Sequence, residues 1–321
     1  RAAPRGSEEH YAIIPPYQDE LIKQFGTLPR RLKVVVDSGN GAAGPVAPRI
    51  IAAIGCDSHD IFSEPDGRFP NHHPDPTVEE NMADLIATVA KDKADLGIAF
   101  DGDADRLGLV DQAGRILWGD EMLVLFARDI LAERPGAVIV SEVKCSQRLY
   151  DDIEKRGGTG IMWKAGHSLL KAKMRETKAV LGGEMSGHMF FADRYYGYDD
   201  GIYAACRMLE VVAKAGKPLA ELLADLPPVV NTPEIRVDCP DSLKFTIADK
   251  ATEKFRQAGY DIIDIDGVRV KFADGWGLIR ASNTQPILVM RFEASTAAKL
   301  AEYRGIVEQV LDEVKREVGA G

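Results

Sequence analysis

Between Leu32 and Asp37 the chain reads LKVVVD, a short apolar and β-branched run that ends in Ser38–Gly39–Asn40–Gly41 and is followed by a helical pattern over Pro45–Ile54. That is a strand, a glycine turn and a helix. A second pass follows through Ile61–Phe62, the loop DGRFPNHHPDP, a helix over Val78–Lys91 and a strand over Leu96–Phe100. This alternation predicts a parallel sheet with helices on both sides. After a hairpin at Asp111–Gly114 the pattern restarts: helix Glu121–Leu131, strand Ala137–Ser141, helix Ser146–Arg156, strand Gly160–Trp163, helix Ser168–Glu176 and strand Ala179–Leu181. Helix Gly201–Lys214 is expected to close this second α/β unit, and Leu219–Asn231, with Pro227 and Pro228, marks a boundary. Beyond it a strand at Glu234–Val237, a helix at Leu243–Gln257, strands from Asp261 to Phe292 and a helix over Ala297–Val318 describe a small α+β domain.

A chain of 321 residues exceeds the usual domain of about 100–200 residues. The expected division is an irregular start at 1–30, α/β domains at 31–115 and 116–228, and the α+β domain at 229–321. RAAPRGSEEH at the beginning reads as a linker, a processed end or an expression remnant. The net charge of −10 argues against nucleic acid or an anionic membrane as partner and leaves any phosphate ligand to local basic groups. Cys56, Cys145, Cys206 and Cys239 form no C-x-x-C pair and are expected to be buried free thiols. With no apolar run of the ~18 residues that a span requires, a cytoplasmic location is expected.

The strand ending at Phe100 delivers Asp101–Gly102–Asp103–Ala104–Asp105–Arg106. Ligands in α/β sheets lie at the carboxyl ends of strands, and three carboxylates this close repel one another unless a cation sits among them. All-oxygen ligation suits a hard ion, Mg²⁺ or Ca²⁺. An EF-hand is excluded, because its sixth and twelfth positions hold Arg106 and Gln112 in place of Gly and Glu. A second loop, Gly183–Glu184–Met185–Ser186–Gly187–His188, offers an acid, a hydroxyl and an imidazole to vicinal sugar hydroxyls. A third, Arg280–Ala281–Ser282–Asn283–Thr284–Gln285–Pro286, suits a phosphate, which guanidinium binds bidentately. Lys144, after the Ala137–Ser141 strand, and the turn Lys164–Ala165–Gly166–His167–Ser168 add lesser signals, Ser168 also fitting a helix N-cap.

Taken together, in this order, these stretches resemble the α-D-phosphohexomutase family, with its DGDGDR-like metal loop, KTGHS-like turn, GEMSGH sugar loop and RxSNT phosphate loop. FPNHHPDP at Phe69–Pro76 and YGYDDGIYAA at Tyr196–Ala205 resemble its bacterial phosphomannomutase/phosphoglucomutase branch, and the likeness runs from about Leu32 onward. The resemblance implies two successive α/β mixed-sheet domains followed by a small α+β domain, and a mutase that interconverts hexose 1-phosphate and hexose 6-phosphate of mannose or glucose. It further implies Mg²⁺ on Asp101, Asp103 and Asp105, and Arg106 neutralising phosphoryl charge. Lys144 and His167 would stand near the reacting end of the substrate, Glu184 and Ser186 on ring hydroxyls with His188 beside them, and Arg280, Ser282, Asn283 and Thr284 on the non-transferred phosphate. In the family a phosphoserine in a TASHNP-like segment transfers the phosphoryl group through a hexose 1,6-bisphosphate, which also serves as activator. These 321 residues contain no such segment. The chain is therefore expected to correspond to family domains two to four without the N-terminal phosphoserine domain, with turnover abolished or very weak. A non-catalytic sugar-phosphate-binding fragment is the alternative. A Mg²⁺-dependent phosphatase with Asp101 as nucleophile leaves the other loops unexplained. Ala104 and Ala165 depart from the family's usual Gly and Thr.

Overall fold

The computed structural model describes residues 6–319. Two compact units emerge, one of Arg1–Leu117 with Asp200–Leu222, the other of Trp118–Asp199 with Leu223–Gly321. In the first, β1 (Lys33–Asp37) lies between β2 (Asp57–Ile61) and β3 (Leu96–Phe100), parallel to both. Val34, Val35 and Val36 are wholly buried, as an unalternating strand requires. β4 (Leu107–Asp111) returns antiparallel to β3, and β5 (Ile116–Leu117) follows it, so the sheet is mixed, as the resemblance implies, where the alternation of elements alone predicts a parallel one. The reason is chain length: residues 101–106 cannot make the crossover of about a dozen residues that a parallel return needs. α2 (Ala47–Ala53) packs on β2, while α3 (Ala83–Asp92), entered through a 3₁₀ turn at Glu79–Met82, places Leu85 and Val89 against Val35, Ala99 and Val110.

Two expectations fail in this unit. The stretch 1–30, read as irregular, contains α1 (Ile14–Phe25), which packs on α2 and buries Gln18 and Leu21. Pro15 and Pro16 disguise it, yet prolines at a helix start forfeit only N–H groups that have no intrahelical partner. Of RAAPRGSEEH, residues 1–5 lie outside the described residues, and 6–10 form neither helix nor strand. Helix α7 (Gly201–Ala215) does not close the second sheet; it packs on β3 and β4 of the first. It is apolar on nearly every face, with Ile202, Tyr203, Ala205, Cys206, Met208 and Leu209 buried, so its sequence demands burial without saying where. Its N-cap Asp200 accepts from Tyr203 N at 2.8 Å and from the Tyr17 hydroxyl at 2.9 Å, tying α7 to α1.

The second unit repeats the arrangement. β6 (Val138–Glu142) lies between β7 (Thr159–Trp163) and β8 (Leu181–Gly183), parallel to both, and β9 (Met189–Phe191) returns antiparallel to β8. Around it stand α4 (Gly119–Glu133), α5 (Gln147–Lys155), capped by the Ser146 side chain, and α6 (His167–Thr177). The C-terminal sheet is antiparallel: β10 (Val230–Asn231), β15 (Ile287–Ala294), β14 (Gly275–Ala281), β13 (Val268–Phe272) and β12 (Ile262–Ile263), with β11 (Ile235–Asp238) also on β15. One face is covered by α8 (Lys244–Gln257) and α9 (Ala297–Glu317), whose Ile247, Phe255, Val307 and Leu311 pack with Val268, Ile279 and Met290. All four cysteines are free and buried, and no helix among the described residues is long and apolar enough to cross a membrane. Replacing Tyr17 with Phe should lower the unfolding free energy by about 1–3 kcal/mol, the worth of a hydrogen bond to a charged group. A urea titration checks this; an unchanged midpoint would show that the Tyr17–Asp200 hydrogen bond does not stabilise the unit.

Candidate functional site

Each α/β sheet begins with its central strand and then adds a strand on either side. Neighbouring parallel strands connected in opposite directions leave a crevice at their carboxyl ends, where ligands bind. The metal and sugar loops follow the corresponding strands, β3 and β8.

In the first unit, Asp101, Asp103 and Asp105 bring carboxylate oxygens within 4.8 Å of one another, with Asp101 buried and Asp103 exposed. Only oxygen is offered, at a spacing one hard cation can bridge, so the residues fit Mg²⁺. The loop curls because Ala104 adopts φ 66, a left-handed conformation in which Ala is strained relative to Gly. The β1 turn supports it from behind: Ala42 N donates to Gly102 O at 2.9 Å, and a Cβ on Gly41 would lie 2.7 Å from that oxygen. Arg106 donates from N at 3.0 Å and Nε at 2.6 Å to Asp101, and from Nη1 at 2.9 Å to Asp75. Burial works against its charge, but the hydrogen bond and charge of Asp101, with Asp75 and Asp105 beside it, raise its pKa. Asp75 thus orients the arginine, a role for the FPNHHPDP stretch that sequence reasoning did not assign. His72 of the same loop meets buried Asp37 at 3.0 Å, a hydrogen bond that raises the imidazole pKa to about 8.

In the second unit the sugar loop is a tight turn joining β8 to β9, with Glu184 N donating to His188 O at 2.9 Å and Gly187 N to Glu184 O at 3.1 Å. Glu184 Oε1 accepts from Gly166 N at 2.7 Å. Gly166 is the N-cap residue of α6 and makes no side-chain cap, so it is Glu184 that meets this helix start and the N-cap reading of Ser168 fails. Burial, then the charge of Glu142, push the Glu184 carboxyl from 4.5 up to about 7, against the lowering influence of His188, Lys144 and Gly166 N. His188 and His167 both approach Asp199, at 3.4 and 3.5 Å, and their rings stack at 5.8 Å. Asp199 moves the other way from Glu184: burial alone would raise it, but hydrogen bonds from His188 and Lys171 hold it well below the carboxylate range. Ser186 is half-buried at the loop tip, and Lys164 is exposed.

Lys144 lies in the turn after β6, its Nζ 3.2 Å from Glu234 and 3.5 Å from Glu142. Burial opposes its charge, yet Glu142, Glu234 and Glu184 outweigh it and raise the ammonium pKa. Glu142 is completely buried; one oxygen accepts from Met185 N at 2.9 Å and the other has no hydrogen-bond partner among the described residues. In the C-terminal domain, Arg280 Nε donates to Asp266 at 2.9 Å, and the same carboxylate oxygen accepts from Ala165 N at 3.0 Å. Asn283 donates to Ala165 O at 3.3 Å, while Ser282 Oγ accepts from Gln285 N at 3.2 Å and shapes its own loop. Asn283 and Thr284 are exposed. The phosphate loop, the His167 turn and the sugar loop are therefore joined by named hydrogen bonds. Glu142, Glu234 and Asp266 were missed in the sequence, where isolated acids carry no pattern; Asp199 lay inside a quoted stretch without a role.

Three domain descriptions match the chain: phosphoglucomutase/phosphomannomutase alpha/beta/alpha domain II over residues 15–114, domain III over 118–230 and the C-terminal domain over 234–310. A phosphomannomutase/phosphoglucomutase of Pseudomonas putida is 48% identical over 314 residues, covering 98% of this chain and 68% of that protein. Its counterpart in Pseudomonas aeruginosa is 46% identical, with 96% and 66% covered. The crystal structure of a phosphoglucomutase/phosphomannomutase family protein from Burkholderia thailandensis superposes with a TM-score of 0.89 at 45% identity, covering 96% of this chain and 66% of that one. The chain thus spans about two thirds of the length of these proteins.

Because Glu184 holds its proton more tightly folded than unfolded, its contribution to stability is fully present below about pH 4.5 and is lost as pH rises to about 7. The melting temperature of the wild type minus that of Glu184→Gln should fall across this window. A flat difference would show that Glu184 ionises normally.

Proposed function

Because the chain belongs to the phosphoglucomutase/phosphomannomutase family, we propose that these residues form the metal- and sugar-phosphate-binding part of a mutase interconverting the 1- and 6-phosphates of glucose or mannose. The observation that carries this reading is the bridge made by Asp266, which accepts from both Arg280 and Ala165 N and so ties the phosphate loop to the turn bearing His167. With Nε so engaged, the guanidinium fork of Arg280 is held in one orientation for a phosphate. Ser282, Asn283 and Thr284 complete that cradle for the non-transferred phosphate. Anchoring at a distance from the reacting atoms is how binding energy becomes orientation.

Glu184 and Ser186 take ring hydroxyls; at neutral pH a carboxyl titrating at about 7 offers both donor and acceptor. His188 stands beside them against Asp199. Lys144 supplies a half-buried positive charge for the reacting end of the ligand, and His167 shares Asp199 as its partner. Asp101, Asp103 and Asp105 hold Mg²⁺, which supplies electrostatic stabilisation of phosphoryl oxygens when bound. Arg106, oriented by Asp75 and Asp101, adds a fixed cation, in line with transfer that depends on positioning and charge. The phosphoryl donor of the reading is a phosphoserine in a segment outside these 321 residues. Four buried free thiols fit a reducing cytoplasm.

A second reading is binding of the sugar phosphate without turnover. Conversion of glucose 1-phosphate to glucose 6-phosphate, primed with glucose 1,6-bisphosphate, separates the two: turnover by the 321-residue chain would show that the phosphoserine segment is dispensable. For the shared part, calorimetry should find that Arg280→Ala weakens glucose 1-phosphate by about 10- to 100-fold, the worth of a charge-assisted hydrogen bond. Its effect on glucose should be small. Equal losses for both ligands would sink the phosphate-loop assignment.

A further inference from the structure

The turn that presents Lys144 is held from the C-terminal domain. Residues 143–145 leave the carboxyl end of β6 in a turn closed by Cys145 N on Glu142 O at 3.1 Å, with Val143 and Cys145 1% and 0% exposed. Carbonyls buried in such a turn need donors. Arg269 of β13 donates from Nη1 to Val143 O and to Cys145 O, both at 2.7 Å. Arg291 of β15 donates from Nη1 to Lys144 O and, at 3.1 Å, to Asp120, whose same oxygen accepts from Ser146 N at 2.9 Å. Three consecutive carbonyls around Lys144 therefore rest on two arginines, both almost completely buried.

Register explains how these arginines arrive together. Arg269 faces Leu278, and Leu278 faces Arg291, across β13, β14 and β15. Strand alternation puts Trp276 and Arg280 on the same face, one on each side of Leu278. Trp276 and Leu278 pack against Val143, and the Arg269 guanidinium lies 3.7 Å from the Trp276 ring centroid. The indole Nε1 donates at 2.9 Å to Glu293, which also accepts from Gln147 N at 3.1 Å. Arg291 and Asp120 thus form a buried ion pair at 3.1 Å, and the buried Glu293 is held by the Trp276 indole and Gln147 N. Arg280 follows Leu278 by two residues, about 7 Å along the strand, so the strand carrying the phosphate arginine is the one docked on the Lys144 turn.

We propose that Arg269 and Arg291 are positioning residues that fix the span between the anchored phosphate at Arg280 and the ammonium of Lys144, and so match the site to phosphates of hexose length. This rests on the phosphate reading of Arg280 given above. Arg269→Met and Arg291→Met keep the apolar stem and remove the donors, while Arg291→Lys keeps the charge but cannot span two acceptors as a guanidinium does. Affinities for glucose 1-phosphate and for inorganic phosphate, measured by calorimetry beside melting temperatures, give the first test. Inorganic phosphate should bind each variant within about twofold of wild type, and glucose 1-phosphate should weaken about tenfold or more, the scale of one lost charge-assisted hydrogen bond. Arg291→Lys should recover melting temperature without recovering glucose 1-phosphate. Parallel loss of both ligands, or undiminished glucose 1-phosphate affinity, overturns the proposal.

The second test needs no ligand. Reductive methylation of Lys144, followed by peptide mass, should accelerate about tenfold in the Met variants as the turn is released. Lys171, held at 2.7 Å by Asp199, should keep its rate. Unchanged Lys144 rates overturn the proposal, whatever the ligands do. Wild type that binds neither phosphate nor glucose 1-phosphate would instead refute the functional reading, and the lysine rates would still decide the positioning claim.

Discussion

Two parallel strands whose connections leave in opposite directions open a crevice that neither can fill, and both α/β sheets here are built around that constraint. β1 and β3 end at Asp37 and Phe100, and β6 and β8 at Glu142 and Gly183. At those ends the sheet has stopped pairing and side chains converge, so polar groups gather where the backbone cannot cover them. The metal loop and the sugar loop occupy matching places in the repeated topology. Each is tight because its strand returns antiparallel at once, β3 to β4 and β8 to β9. Short returns keep the loops rigid, a condition for placing donors and charges accurately.

Charge withdrawn from water must be answered locally, and the answers set how each group behaves. Asp199 and Glu184 are both acids of one unit, yet they move in opposite directions. Asp199 is met by His188 and Lys171, so its charge is favoured; Glu184 is more deeply buried and faces the charge of Glu142, so its proton is. Lys144 is half-buried, and Glu142, Glu234 and Glu184 around it favour its charge against burial. Removing one member of such a set leaves the others buried and unpaired, which costs more than the missing contact itself.

The C-terminal sheet uses its two faces differently. One is apolar and takes α8 and α9, forming an ordinary core. The other carries Arg269, Trp276, Arg280 and Arg291, and alternation along β14 leaves Arg280 at the end of a row whose remainder is packed on residues 143–147. Asp266 adds a second attachment by joining Arg280 to Ala165 N. The phosphate loop is thus mounted on structure at two points, although its own residues Asn283 and Thr284 are exposed.

What could be read without the structure was what lies close along the chain. Apolar runs ending in glycine turns announced the strands, and DGDADR, GEMSGH and RASNT, each of six or fewer residues, together carried the resemblance to the family. α1 was hidden by two prolines at its start, and α7, apolar all round, asked for burial without naming a sheet. The long-range partners were also out of reach: Asp75 lies 31 residues from Arg106, and Arg269 lies 126 from Val143. The sequence by itself determined the family and the loops that carry its motifs, because these depend on local order. Only the tertiary structure decided which carboxylate orients Arg106, which acid keeps its proton and which arginines hold the Lys144 turn, because burial and strand register bring together residues that no sequence pattern relates.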